Sequence, residues 1–503
     1  MSDKHQWNRR RFLQVASIAL CGSVLNTGCS NPSGGNEATA EQPGSQLDGG
    51  TTQETSSSGE SVAEQTQQES SLEVKSVEGS SEHVLVVGAG MAGLTAAQEL
   101  RKAGLKVIVM EGRDRTGGRI YTDNRFGFPA EHGAQWIEGV QGNPLTQLAQ
   151  QLQLQTQMTD FDDVEFFSTN GQPSNTTELL AIERGFGMFE RQIARYSGSN
   201  DTSVSSILQG ISGLSDDVRR CVKLVTEDGS GADLEDMSVK AALAGQGFPG
   251  GDAMLVKGYS QFIENQAKEL DIRLNQTLKT IDTREKTVKL TCQDGTVYQG
   301  AAVILTVPLG VLKAKPSSQA GITFLPELPA EKKKAIAESG FGLLNKIYIQ
   351  FKQTFWSNQQ AFLAVLPPKE DDFVVFVNHA HSHQKPVLAA FVAASFARQL
   401  ESMSDAQLTK AMVEKLRVVY GAKVKDEDVE KVLVTRWGQD PFSLGSYSFS
   451  PVNKFQWRSA LAAPVDNKLF FAGEACSAYN ATAHGAYENG LTVGKNVATA
   501  VKS

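Results

Sequence analysis

The sequence predicts an α/β fold with a second, discontinuous part of helices and a mixed sheet. Three observations carry this. The β-rich run His83-Val84-Leu85-Val86-Val87 leads through a glycine turn into a helical pattern and then a second strand, Leu105 to Met110. That order is a βαβ unit, the opening of a Rossmann-like dinucleotide-binding domain. The apolar run Ala302-Val303-Ile304-Leu305-Thr306-Val307-Pro308 reads as a buried strand returning to the same sheet. Finally, 503 residues at 40% hydrophobic and 21% charged composition are enough for two or more domains with full cores.

Residues 1–29 read as an export signal. Asn8-Arg9-Arg10-Arg11-Phe12-Leu13-Gln14 precedes an apolar run from Val15 to Leu25, too short to span a bilayer, which takes roughly 20 residues. Paired arginines before Phe-Leu resemble a twin-arginine signal, with Asn8 where Ser or Thr is usual; an ordinary signal is the alternative. The twin-arginine route carries folded proteins, which suits a chain loaded with a cofactor before export. Leu25-Asn26-Thr27-Gly28-Cys29 resembles a lipoprotein box apart from Asn26 and Thr27, so Cys29 is either a lipidated residue or an incidental thiol. Residues 30–80 contain no aromatic residue and carry nine acids against Lys75 alone. Such a segment cannot bury enough surface to fold. As a disordered acidic linker of about 50 residues it spans roughly 40 Å. The expected location is the periplasm or cell envelope, with a lipid tether if Cys29 is modified.

Formal net charge is −8, and the linker accounts for most of it, leaving a nearly neutral body. That excludes the concentrated basic face of a nucleic-acid platform. Five widely spaced cysteines (Cys21, Cys29, Cys221, Cys292 and Cys476) form no CxxC, so neither a structural zinc nor a disulfide framework is expected. His379-Ala380-His381-Ser382-His383 has no strong partner nearby in sequence and reads as a surface loop, so no metal site is expected.

The glycine turn is Gly88-Ala89-Gly90-Met91-Ala92-Gly93, and the second strand closes on Glu111. Gly88 permits the tight turn, Gly90 lets a pyrophosphate approach the backbone, and Gly93 allows close helix packing. The helix N-terminus faces the phosphates, and Glu111 falls where a carboxylate accepts from ribose hydroxyls. Arg113-Asp114-Arg115-Thr116-Gly117-Gly118-Arg119 follows at once. A second glycine pair flanked by Arg113 and Arg119 suits a second pyrophosphate contact through Gly118, which NAD folds generally lack. The expected cofactor is FAD.

Three further motifs resemble the flavin-containing amine oxidase family, in the family's order and over about residues 82–503. Glu131-His132-Gly133-Ala134-Gln135-Trp136-Ile137-Glu138-Gly139 resembles its flavin-adjacent motif. Gly340-Phe341-Gly342-Leu343-Leu344-Asn345-Lys346 is similar to the segment bearing its active-site lysine. Phe470-Phe471-Ala472-Gly473-Glu474 with Ala483-His484-Gly485-Ala486 resembles its C-terminal flavin-closing motif. Trp136 to Gly139 and Gly445-Ser446-Tyr447-Ser448 look most like the polyamine oxidases and the related histone lysine demethylases.

The resemblance implies roles. Lys346 would be catalytic, its ammonium holding a water beside flavin N5. Ala134, Gln135, Trp136, Leu278, Trp437, Glu474, Thr482 and Ala483 would contact FAD, with the helix beginning near Ala483 pointing its positive end at the flavin. Glu138 would face the distal ammonium of a substrate and Tyr447 would be an aromatic wall. Thr482 replaces a second cage tyrosine, which implies a wider cavity. Ser446 stands where a flavin-linking cysteine occurs in the mitochondrial monoamine oxidases, so FAD should be non-covalent. Leu274 to Leu278, a strand at Thr287 to Leu290 and Asp294-Gly295 read as sheet and hairpin. The expected division is an FAD-binding domain of 81–143, 250–311 and 461–503, with a substrate domain of 144–249 and 312–460.

The implied reaction is oxidation of a small-molecule amine, polyamines first, with oxygen as acceptor. An L-amino-acid oxidase and a flavoprotein dehydrogenase feeding a membrane quinone are the alternatives.

Overall fold

The structure is a computed structural model that describes residues 75–454 and 456–502. The arginine-rich signal, Cys29 and almost all of the acidic linker lie outside the described residues.

His83–Val87 forms the centre of a five-stranded parallel sheet, with Lys106–Met110 on one side and Ala302–Leu305 on the other. Asp271–Arg273 and Leu469–Phe471 complete its edges. The inner strands are apolar on both faces because both are covered, one by helices and the other by strands of a second sheet together with short helices. The helix Met91–Lys102 packs on one face, and the C-terminal helix Ala483–Lys502 crosses it. That crossing is close because Gly490 and Gly494 meet the first helix: a Cβ on Gly490 would lie 2.5 Å from the Ala92 carbonyl oxygen.

A second five-stranded sheet runs Ser76–Gly79, Thr296–Gly300, Val288–Cys292, Leu278–Asp282, Thr323–Leu325. The hairpin at Asp294-Gly295 is present, but Leu274 to Thr277 is not strand. Asn275 takes a left-handed φ of +58°, and the amides of Asn275 and Gln276 donate to the carbonyls of Arg113 and Glu111. This loop is therefore pinned against the glycine-rich region instead of joining a ladder.

A six-stranded mixed sheet is ordered Val429–Val434, Leu344–Phe351, Val387–Ala393, Val375–Asn378, Phe362–Val365, Val164–Phe167, the last pair parallel and the others antiparallel. The alternation around Lys346 suggests one solvated face by composition. In the structure both faces are covered. Ile347, Ile349 and Phe351 pack on Leu408, Met412 and Leu416, while Tyr348 joins a core with Phe186, Phe189 and Val222 from the preceding helices. His379–His383 is a short helix, not a surface loop. His379 is buried, its ring 4.4 Å from Phe128 and 5.6 Å from Tyr348, so aromatic packing claims the segment.

Candidate active site

A cavity of about 340 Å³ runs from the C-terminal ends of the parallel strands to the six-stranded sheet. It is lined by Lys346, Glu138, Tyr447, Thr482 and every cofactor-binding residue singled out from sequence except Gly93.

At the nucleotide end, Gly88 has φ +105°, and a Cβ on Gly93 would lie 1.9 Å from the Gly88 carbonyl oxygen. Gly93 thus serves helix–strand packing. A Cβ on Gly90 would meet only the Gly117 carbonyl oxygen, at 3.8 Å, so this backbone faces open space at the helix N-terminus. Gly118 sits at φ +58°, where a Cβ would touch only the Gly90 Cα, at 3.6 Å. Glu111 is buried; its carboxylate accepts from the amides of Ala89 at 2.8 Å and Arg113 at 2.9 Å. Arg113 pairs with Asp440 at 2.7 Å, leaving its Nη2 buried without a partner.

Glu474 and Arg119 form an ion pair at 2.9 Å beneath the cavity. The second Glu474 oxygen accepts from the Ser448 hydroxyl at 2.7 Å and the Ala481 amide at 2.9 Å. Burial alone would raise the Glu474 carboxyl, but Arg119, Ser448 and Arg458 outweigh it and hold the group below the usual carboxylate range. Glu474 therefore organises its neighbours as well as lining the cavity. Thr482 accepts from the Gly485 amide at 2.9 Å at the start of the helix Ala483–Lys502.

Lys346 is 2% exposed. Its Nζ donates to the carbonyls of Glu131 at 3.1 Å and Gly133 at 2.8 Å and to Gln135 Oε1 at 2.8 Å. These three acceptors match the three N–H donors of an ammonium. Burial pulls the lysine pKa down, opposed by the charge of Glu131; burial likewise pushes Glu131 up, against the Tyr259 amide, the Thr122 hydroxyl and Lys346. Beside Nζ stand the rings of Phe391, at 5.0 Å, and Trp136, at 5.9 Å. The Trp437 indole donates to the His132 carbonyl at 3.0 Å, which fixes its ring on the cavity wall.

The far end is acidic. Glu138, Asp228 and Asp252 line it together with the Tyr447 ring, and the Tyr447 hydroxyl donates to the Gly229 carbonyl at 3.3 Å. Burial and the neighbouring Asp252 push Glu138 up to about 8; burial also raises Asp252, and burial with Glu227 raises Asp228. Trp136 and Phe161, 5.4 Å apart, form the aromatic side.

The family profile described as flavin containing amine oxidoreductase matches residues 91–498. The chain belongs to this family of flavin amine oxidases. It is 35% identical to Polyamine oxidase 4 of Oryza sativa subsp. japonica over 435 residues, 81% of this chain and 87% of that one. It is 34% identical to Protein FLOWERING LOCUS D of Arabidopsis thaliana over 446 residues, 84% of this chain and 56% of that one. Among solved structures, a triple mutant of putrescine oxidase with redesigned cofactor binding has the same fold, with a TM-score of 0.67 at 22% identity, covering 84% of this chain and 99% of that chain.

For this flavin amine oxidase the cofactor is FAD. The open backbone at Gly90 and Gly118 and the unpartnered Arg113 Nη2 fit an anionic pyrophosphate. Sequence reasoning missed Asp228 and Asp252. Asp228 falls near the end of the helix Asp216–Ser230, in a Glu-Asp-Gly run that reads as solvated surface. Asp252 follows Gly250-Gly251 and reads as a turn residue. Phe161 and Phe391 were equally silent, since only tertiary packing brings them to Trp136.

Proposed function

We propose that this amine oxidase is exported to the periplasm or cell envelope and acts there on polyamine-type substrates. The observation that carries this reading is the polarity of the cavity: a buried lysine on one side, three carboxyls without a cation partner among the described residues on the other, and the rings of Trp136 and Phe161 lining the same space. A cationic chain is what such an acidic, aromatic-walled end attracts. The relatives named polyamine oxidase support the same class.

Arg113, Gly90, Gly118 and Glu111 would hold the dinucleotide, Trp437 and the start of the helix Ala483–Lys502 would border the ring system, and Lys346 would stand at the reacting end. When bound, FAD supplies a two-electron acceptor for hydride from the carbon α to nitrogen, with O2 as final oxidant giving H2O2. The aromatic rings exclude water and align the chain; Lys346 holds or releases a proton at Nζ, as its lowered affinity permits. The resulting imine hydrolyses to an aldehyde or ketone.

An amino-acid substrate would need a free cation for its carboxylate. Among the described residues three cations line the cavity: Arg119 pairs with Glu474, Lys346 is held by protein acceptors, and Arg113 pairs with Asp440 and keeps its remaining Nη2 at the dinucleotide end, which favours an amine.

Anaerobic mixing of the FAD-loaded enzyme with polyamines, monoamines and amino acids tests the reading. Polyamines should bleach the flavin fastest; bleaching by amino acids alone would overturn it. Oxygen uptake with peroxide release under air then separates an oxidase from a quinone-linked dehydrogenase.

A further inference from the structure

The short strands Trp136–Ile137 and Asp252–Leu255 pair antiparallel, with Ile137 opposite Ala253, so Glu138 and Asp252 stand together where the pair ends. The chain turns sharply at Gly139, φ +66°, where a Cβ would lie 1.8 Å from the Phe248 carbonyl oxygen. The Gly139 amide donates to Asp252 Oδ1 at 2.8 Å. This bond fixes Asp252 against the turn that carries Glu138. Both carboxyls line the cavity, and the Glu138 carboxyl makes no hydrogen bond or ion pair to any described residue.

Among the described residues the surrounding groups offer no counter-charge. The Tyr259 hydroxyl donates to the Trp136 carbonyl at 3.0 Å and the Tyr447 hydroxyl to Gly229, both away from the carboxyls. Asp228, on the Tyr447 side, is another acid. His484 approaches through Asn143, which donates to the Glu138 carbonyl at 2.8 Å, and burial holds that imidazole down at about 4, hence neutral. Two adjacent carboxyls in this setting cannot both ionise cheaply.

We propose that Asp252 is a specificity-determining residue, forming with Glu138 a carboxyl pair that takes the remote ammonium of a diamine or polyamine and gives up a proton as it binds. The inference rests on the amine-oxidising reading of the cavity. Without a cation the pair retains a proton; an ammonium between the carboxyls stabilises both charges and expels it. A monoamine of equal length brings no second charge and leaves the proton in place.

The matched probes are 1,8-diaminooctane and n-octylamine, applied to the FAD-loaded enzyme without oxygen. Wild type should bind the diamine more tightly, read from the flavin spectrum, and bleach with both. Asp252→Asn keeps the oxygen that accepts from Gly139, so fold and FAD content should persist. The diamine preference should fall about tenfold, the scale of one lost charge-assisted contact. A preference unchanged within about twofold in the FAD-replete variant would overturn the role of Asp252. A wild type that neither shifts nor bleaches with either amine would instead overturn the underlying reading. Calorimetry of wild type alone, near neutral pH in buffers of different ionisation enthalpy, gives a second readout. The diamine should release up to about one proton more than the monoamine, a difference that cancels any proton lost by the reacting nitrogen. Equal release for both probes would overturn the pair.

Discussion

Lys346 Nζ donates to Gln135 Oε1 at 2.8 Å, joining a strand of the six-stranded sheet to the Glu131–Gly139 motif. The bond ties the two halves of the site together. With Glu131 O and Gly133 O as the other acceptors, the ammonium is saturated by protein. A neutral lysine has one donor fewer and a free lone pair, and burial moves Lys346 in that direction. A water held by Lys346 therefore requires either that neutral form or displacement of one of these acceptors.

FAD should be tight but non-covalent. Ser446 has no thiol, and its hydroxyl is engaged with the Leu344 backbone, accepting from the amide and donating to the carbonyl, both at 2.9 Å. Acid precipitation should leave yellow flavin in the supernatant; flavin retained in the pellet would contradict this.

Glu474→Gln keeps the side-chain shape but leaves Arg119 and Arg458 facing no anion at this point. Breaking a buried pair on one side typically costs about 3–5 kcal/mol. Melting temperature and flavin occupancy should both fall, and a variant matching wild type in both would show the pair to be dispensable.

Glu138 links stability to pH. Its folded value of about 8 lies above the roughly 4.3 of an unfolded glutamate. Between those values the folded state holds a proton that the unfolded state lacks. The contribution is complete below about pH 4.3 and is lost as pH rises through about 8. Melting curves of wild type and Glu138→Gln between about pH 5 and pH 9 should diverge, wild type losing about 2 °C or more relative to the variant. Parallel curves would refute the shift.

The proposed export would rest on Arg9 and Arg10. Replacing both with lysine should leave the protein in the cytoplasm when cells are fractionated. Normal export of the double variant would rule out the twin-arginine route.

The parallel sheet was legible in the sequence because each strand is a short apolar run bounded by glycine, proline or an acid, as in Val84 to Glu111 and Ala302 to Pro308. The nucleotide end of the site was legible for the same reason: Gly88, Gly90 and Glu111 act within one local unit. The burial of Lys346 was not, because alternation in one strand cannot show that the Glu131–Trp136 segment closes over Lys346 and that helices from residues 176–230 pack on Tyr348 of the same face. Asp228, Asp252 and Phe391 come from three distant segments that meet only through tertiary packing. His379 illustrates the converse error, since a histidine-rich run reads as surface until Phe128 and Tyr348 pack on it.

Lys346→Met tests the central claim most directly. Methionine keeps length and apolar bulk in a site walled by Phe391 and Trp136, so fold and FAD content should survive. Stopped-flow absorbance should follow anaerobic reduction by a polyamine and then reoxidation by oxygen. A lysine-centred site predicts a loss of roughly 10²–10⁴-fold in at least one of these steps. An FAD-replete variant within about threefold of wild type in both, under roughly 1 kcal/mol, would contradict it.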